Sequence, residues 1–255
     1  LLMYTVLVRM FKEFRRLSVH IASRLASFVG AALLVSLLLS SSVEAIEMQD
    51  HPELLTLAEE LVEQGFDRSE LQRLFGAIEF KQSIIDAMTK PAEKSMTWKD
   101  YRGLFIKPER IQQGIEFWQT YQQELAKASV DYGVAEEVIV AIIGVESRFG
   151  QYRGKHGVLE SLATLVSGYP RRSAFFAGEL KAFLQLCQEQ GFDPLEVKGS
   201  YAGAVGYPQF IATSYRAYAV DFNADDRIDL INDPVDAIGS VANYFNRHRW
   251  EADQP

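Results

Sequence analysis

A mainly α fold is what this sequence predicts, and three observations predict it. Apolar residues recur at helical spacing through most of the chain after residue 50. Proline, glycine and short polar residues punctuate those stretches where helices start and stop. No two segments alternate apolar and polar residues as a hairpin would, and no repeat is visible, so little or no β structure is expected.

The first 45 residues read as a targeting leader. Arg9, Lys12, Arg15, Arg16 and Arg24 form a basic front, and Phe28 to Leu39 is an uncharged apolar run. That run is shorter than the ~20 residues a spanning helix needs, which favours export over a permanent anchor. Val43 and Ala45 resemble a small-residue cleavage site. The expected organisation is a signal peptide over 1–45 and one folded domain over 46–255.

His51-Pro52-Glu53 opens the first helix, with Leu54, Leu57, Ala58, Leu61 and Val62 on one face and Gly65 as its stop. Asp67 with Glu70 three residues on forms a capping box for a second helix, whose buried side is Leu71, Leu74 and Phe75. Ile78 to Met88 is a third helical piece, and 91–96 is a polar linker. Pro108 begins a long helix carrying Ile111, Ile115, Trp118, Tyr121 and Leu125 on its apolar side. Val138 to Val145 is then an uncharged run leading into Glu146, with Gly150 as a stop. Val158 to Val166 and Arg171 to Gln190 are further helices, the second expected to turn Phe175, Phe176, Leu180, Phe183, Leu184 and Cys187 inward. A glycine-rich turn over Gly199 to Gly206 leads into Pro208-Gln209-Phe210 and a helix ending near Tyr218. Asp233-Pro234 starts the last helix, with Ile238, Val241, Ala242 and Phe245 inward.

The leader carries a charge of +3, so the formal −8 of the whole chain leaves −11 for the rest. That balance argues against a nucleic-acid partner, which requires a basic face. The sole cysteine, Cys187, cannot form an internal disulfide and reads as a small core residue. No cysteine closes the leader to take a lipid.

Chemistry concentrates in two places. A helix apolar on all sides is buried, and a carboxylate at its inner end loses water, which raises its pKa and prepares a general acid. Glu146 fits that description, although a last turn reaching the surface would leave it merely solvated. The glycines of Ser200-Tyr201-Ala202-Gly203-Ala204-Val205-Gly206 admit either close approach of a substrate or tight helix packing. Ser200 and Gln209 are neutral hydrogen-bonding groups able to orient a sugar. The second place is the acidic loop, where Asp221, Asn223, Asp225 and the carbonyl of Arg227 stand at alternate positions, as in a Ca²⁺ loop between helices. Asp226 departs from the glycine usual there, and Asn232 from the usual glutamate. The plain alternative is an acidic turn with an Asx cap.

Glu146-Ser147-Arg148-Phe149-Gly150 followed by Ser200 to Phe210 resembles the membrane-bound lytic murein transglycosylase B family of lysozyme-like lytic transglycosylases. Trp98 with Tyr101, Arg171-Arg172 with Phe175-Phe176, and Asp233 to Tyr244 extend the resemblance over Pro52 to Trp250. It implies a lysozyme-like helical domain with an EF-hand-like loop at 221–236. It implies Glu146 as catalytic acid and base, Ser200 and Gln209 beside it, and Tyr101 and Tyr244 as cleft walls. Phe175 stands where some relatives have a tyrosine, so a substrate-binding hydroxyl is expected to be missing there. Asp236 is implied as the closing ligand of a structural Ca²⁺, with no cofactor needed for the chemistry.

The implied reaction cleaves the bond between N-acetylmuramic acid and N-acetylglucosamine in the periplasm and leaves 1,6-anhydro ends. The implied partners are peptidoglycan strands and other cell-wall enzymes. A lysozyme-type hydrolase and a non-catalytic murein-binding protein are the competing readings. The resemblance also implies a further C-terminal segment, which the sequence is expected to lack at Pro255.

Overall fold

The computed structural model describes residues 51–90 and 97–251. The leader over 1–45 and the polar linker over 91–96 lie outside the described residues. Eleven α-helices and one two-stranded ribbon make up the described chain, as the mainly α reading expects.

Three helices open it: α1 (Pro52–Glu63), α2 (Arg68–Gly76) and α3 (Gln82–Thr89). The Asp67 carboxylate accepts from the backbone N–H of Glu70 at 2.9 Å, so the cap forms. The box is only half made, because the Glu70 side chain turns to Arg73 instead. The long helix expected after Pro108 is two helices, preceded by α4 (Trp98–Phe105). They are α5 (Pro108–Thr120) and α6 (Gln122–Tyr132), broken at Tyr121, where φ is −112°. No glycine or proline marks that break in the sequence. Ile111 and Ile115, expected inward, are 53% and 45% exposed. Helix α5 buries Phe117 near its C-terminal end instead.

Helix α7 (Glu136–Ser147) carries Glu146. Its apolar run is not buried on all sides: Ala141 and Val145 are exposed. The reason is its neighbourhood, since α5, α6 and the final helix α11 (Pro234–Arg247) cover it from part of its circumference only. The helix enclosed all round is α8 (Val158–Gly168), where every residue from Val158 to Val166 except Glu160 is buried. Helices α1, α3 and α9 (Ser173–Gln190) all pack on α8. Each fully buried Leu, Ile or Phe there contributes roughly 1.5–3 kcal/mol.

Arg171 and Arg172 fall in a short 3₁₀ turn ahead of α9. Phe175, expected inward, is 39% exposed, and the Arg172 guanidinium lies 4.0 Å above its ring. A two-residue ribbon pairs β1 (His156–Gly157) antiparallel with β2 (Lys198–Gly199). Two residues are too few for an alternation to show in sequence, which is why no strand was expected. Helix α10 (Ala212–Tyr218) follows the glycine-rich turn.

The buried apolar residues form two clusters. The larger gathers α1, α2, α3, α8, α9 and α10, and includes Phe210. The smaller gathers α5, α6 and α7. Helix α11 serves both, giving Ala237 to the first and Ile238, Val241 and Ala242 to the second. Tyr207 packs against both as well.

Candidate active site

Glu146 sits one residue before the end of α7, and the backbone beyond it is unusual. Arg148, Phe149 and Gly150 all take left-handed φ, at 51°, 57° and 83°. Such a conformation costs an L-residue about 1–2 kcal/mol, so surrounding contacts must impose it. Those contacts are visible. The Arg148 Nε donates to Gln113 Oε1 at 2.8 Å, tying the turn to α5. The Phe149 ring lies over Gly144, where a Cβ would come within 2.6 Å of it. Ser147, buried, accepts from the Gly150 N–H at 3.0 Å through its hydroxyl. Gly150 in turn faces the Tyr207 ring, which leaves no room for a side chain. The Glu146 position is therefore fixed by a stop that several elements hold.

The facing wall is the turn from Ser200 to Phe210. Val205 and Phe210 exchange both backbone hydrogen bonds, at 2.9 and 3.1 Å, and pinch off a tight loop between them. In that loop Gln209 takes φ 52°, and its Nε2 donates to the Gly206 carbonyl at 3.0 Å. Gly206 itself has φ 74° and sits against the Leu230 carbonyl. The Tyr207 N–H donates to that same carbonyl at 2.9 Å.

Between the walls lies a pocket of about 260 Å³. Glu146, Gln209 and Tyr244 all line it, so three of the residues singled out in the sequence come together. Its floor is apolar, from Ile142, Ile211, Val241 and Phe245. Among the described residues lining it, Glu146 is the one carboxylate. Loss of solvation to these neighbours raises the Glu146 pKa above the ordinary carboxylate range. The side chain is nonetheless exposed by area, because the cleft is open. An open carboxyl keeps part of its water.

Tyr244 stacks on His248 with ring centres 4.1 Å apart and meets Phe210 at 5.5 Å. Its ring is thereby held as a wall. Ser200 and Phe175 are not among the lining residues of this pocket. The Ser200 hydroxyl accepts from the N–H groups of Ala202 and Ala204 at 3.2 and 3.0 Å and so braces the glycine-rich turn. Tyr101 lies on α4, with its side chain outside the described residues.

The family model described as a transglycosylase SLT domain matches residues 49–255. The chain belongs to that family. It is 46% identical over 195 residues to membrane-bound lytic murein transglycosylase B of Escherichia coli (strain K12), covering 73% of this chain and 54% of that protein. The chain thus spans about half the length of this curated relative. Among solved structures it resembles soluble lytic transglycosylase SltB1 from Pseudomonas aeruginosa, at 47% identity and a TM-score of 0.77, over 80% of this chain and 69% of that one. It also resembles the Escherichia coli lytic transglycosylase Slt35 in complex with calcium, at 43% identity and a TM-score of 0.78, over 82% and 67% of the two chains.

Within this transglycosylase domain the acidic loop is organised by its own backbone. Asp221 accepts from the N–H groups of Asp225 and Asp226, and Asp225 from that of Arg227. Asp226, at the place where glycine is usual, takes φ 66°. Aspartate tolerates the left-handed region better than most residues, which explains the departure. Asp236 is buried, and its two oxygens accept from Phe222 at 2.8 Å and Asp229 at 2.8 Å. Desolvation raises its pKa. Among the described residues no three His, Cys, Asp or Glu side chains are gathered as they would be around a metal ion. The oxygen-only donor set of Asp221, Asn223, Asp225 and the Arg227 carbonyl does suit a hard cation.

One lining residue had no signal in the sequence. Ser214 enters the pocket from α10, whose rotation about its own axis only the folded chain reveals.

Proposed function

We propose that this domain is a murein lytic transglycosylase with Glu146 as its single catalytic acid and base. The observation that carries the reading is one carboxyl of raised pKa, alone among neutral and aromatic groups in a pocket. Most glycosidases need two carboxylates flanking the scissile bond. A site with one suits a reaction in which the substrate supplies its own nucleophile. Protonated Glu146 donates its proton to the glycosidic oxygen between N-acetylmuramic acid and N-acetylglucosamine. The sugar's acetamido oxygen stabilises the positive centre left at C1. The Glu146 carboxylate then takes the proton of the muramic C6 hydroxyl as its oxygen bonds to C1. The product is a 1,6-anhydro end, and Glu146 is restored to its acid form. The relatives' names, lytic murein transglycosylase B and lytic transglycosylase SltB1, support the same reading.

Purified murein sacculi and mass analysis of the soluble products test it. Anhydro ends are expected from the parent chain and none from Glu146→Gln. Reducing ends in their place would mark hydrolysis and overturn the proposal.

The same reading places a structural Ca²⁺ in the acidic loop, held by Asp221, Asn223, Asp225, the Arg227 carbonyl and Asp236. The ion would supply charge balance and loop order, with no part in bond cleavage. A calcium-bound relative and the donor chemistry support it. Millimolar Ca²⁺ is expected to raise the melting temperature by binding the folded chain, and an unmoved transition would count against the site. Export through the 1–45 leader and action on the cell wall belong to the same proposal.

A further inference from the structure

The pocket beside Glu146 contains a hydroxyl that no other described residue uses. Ser214 lines it, half-buried, and among the described residues its Oγ has no hydrogen-bond partner. A helical serine commonly returns its hydroxyl to the carbonyl four residues back. Ser214 does not.

Its neighbours show why it is held in that state. The preceding residue, Thr213, gives both its N–H and its hydroxyl to the buried carboxylate of Glu179, at 3.1 and 2.6 Å. The following residue, Tyr215, is fully buried, donating through its hydroxyl to the Ile228 carbonyl at 2.8 Å and accepting from the Leu230 N–H at 2.9 Å. These two anchors fix the rotation of α10 about its axis. Ser214 is left facing the pocket with both its donor and its acceptor capacity unspent.

The surroundings define what it can take. Val241, Ile142 and Phe245 offer apolar surface, and Tyr244 offers a ring. Gln209 has its Nε2 committed to the Gly206 carbonyl. A group with one amide donor, one carbonyl acceptor and a terminal methyl matches this set: an acetamido substituent on a sugar ring. We infer that Ser214 is a specificity-determining residue that hydrogen-bonds the acetamido group of one sugar in the bound strand, with the methyl against Val241 and Ile142. This rests on the murein reading of the site.

Calorimetric titration with tri-N-acetylchitotriose and with its de-N-acetylated counterpart separates the two claims. One neutral hydrogen bond is worth about 2–12-fold in affinity. Ser214→Ala is expected to weaken binding of the acetylated trimer by about that factor and leave the glucosamine trimer unchanged. With sacculi as substrate, KM should rise by a similar factor while kcat stays within about twofold. Ser214→Thr, which keeps the hydroxyl, should retain most of the affinity. Equal loss for both trimers, no loss for either, or no binding of the acetylated trimer to the parent chain overturns the inference. A parent chain that releases no anhydro ends yet binds the trimers with this pattern would sink the proposed reaction and leave Ser214's role standing.

Discussion

Gly206→Ala probes the joint between the pocket wall and the acidic loop. Gly206 has φ 74°, and a Cβ there would lie 2.1 Å from the Leu230 carbonyl oxygen and 2.7 Å from its carbon. That oxygen is backbone and already accepts from Tyr207 N–H, so it cannot step aside freely. The left-handed backbone alone costs a residue with a Cβ about 1–2 kcal/mol. Overpacking adds about 1–3 kcal/mol, and strain on the Tyr207 hydrogen bond about 0.5–1.5 kcal/mol. A total near 3–5 kcal/mol is expected. Gly65→Ala is the internal control: its φ is 96°, and nothing lies within 4 Å of the added Cβ. It should show the backbone cost alone. Urea denaturation of both variants isolates the Leu230 contact as their difference, about 2–3 kcal/mol. By melting, Gly206→Ala should fall by about 6–20 °C, given 2–4 °C per kcal/mol for a domain of this size. Murein turnover should fall too, because the Gln209 amide hangs from the Gly206 carbonyl. If Gly206→Ala costs no more than Gly65→Ala, the close approach to Leu230 does not hold the wall in place.

Further outcomes follow from two titrating groups. Cys187 is buried and its thiol is pushed up to about 12, so iodoacetamide should leave it unlabelled in the native chain and modify it after urea unfolding. Rapid native labelling, read by mass spectrometry, would contradict that placement. Glu146 keeps its proton to a higher pH in the folded chain than an ordinary carboxyl does. Turnover should therefore decline as pH rises through that raised value, rather than at the usual carboxylate range. The folded chain also binds more protons than the unfolded one over this interval, so stability falls as pH rises across it. Glu146→Gln should lack that slope. The difference is small, since the open cleft leaves the carboxyl partly hydrated.

Local rules carried much of the fold. The Asp67 cap, the prolines at 52, 108 and 234, and the glycines at 133 and 191 all stand at helix ends in the structure. What the pattern could not give was which apolar stripes find partners. Ile111 and Ile115 have the right spacing for burial, yet only the distal part of α5 meets the core. The uncharged run before Glu146 reads as enclosed, but α8 holds that place because more helices surround it. In the pocket, Glu146 and Gln209 were legible from their chemistry, and Tyr244 only through the family resemblance. Ser214 was not, because an exposed-looking serine on a short helix has no pattern of its own. Ser200 was legible as a hydroxyl, whereas its bonds to Ala202 and Ala204 exist only once the turn has closed.

The division of the apolar interior has a consequence for the width of the cleft. Glu146 rides on a helix anchored in the smaller cluster, and Phe210 belongs to the larger. The gap between acid and facing wall is therefore set by the packing of two apolar clusters that meet at α11 and Tyr207. Because α11 and Tyr207 pack against both clusters, a substitution that loosens either cluster changes the distance from Glu146 to Phe210.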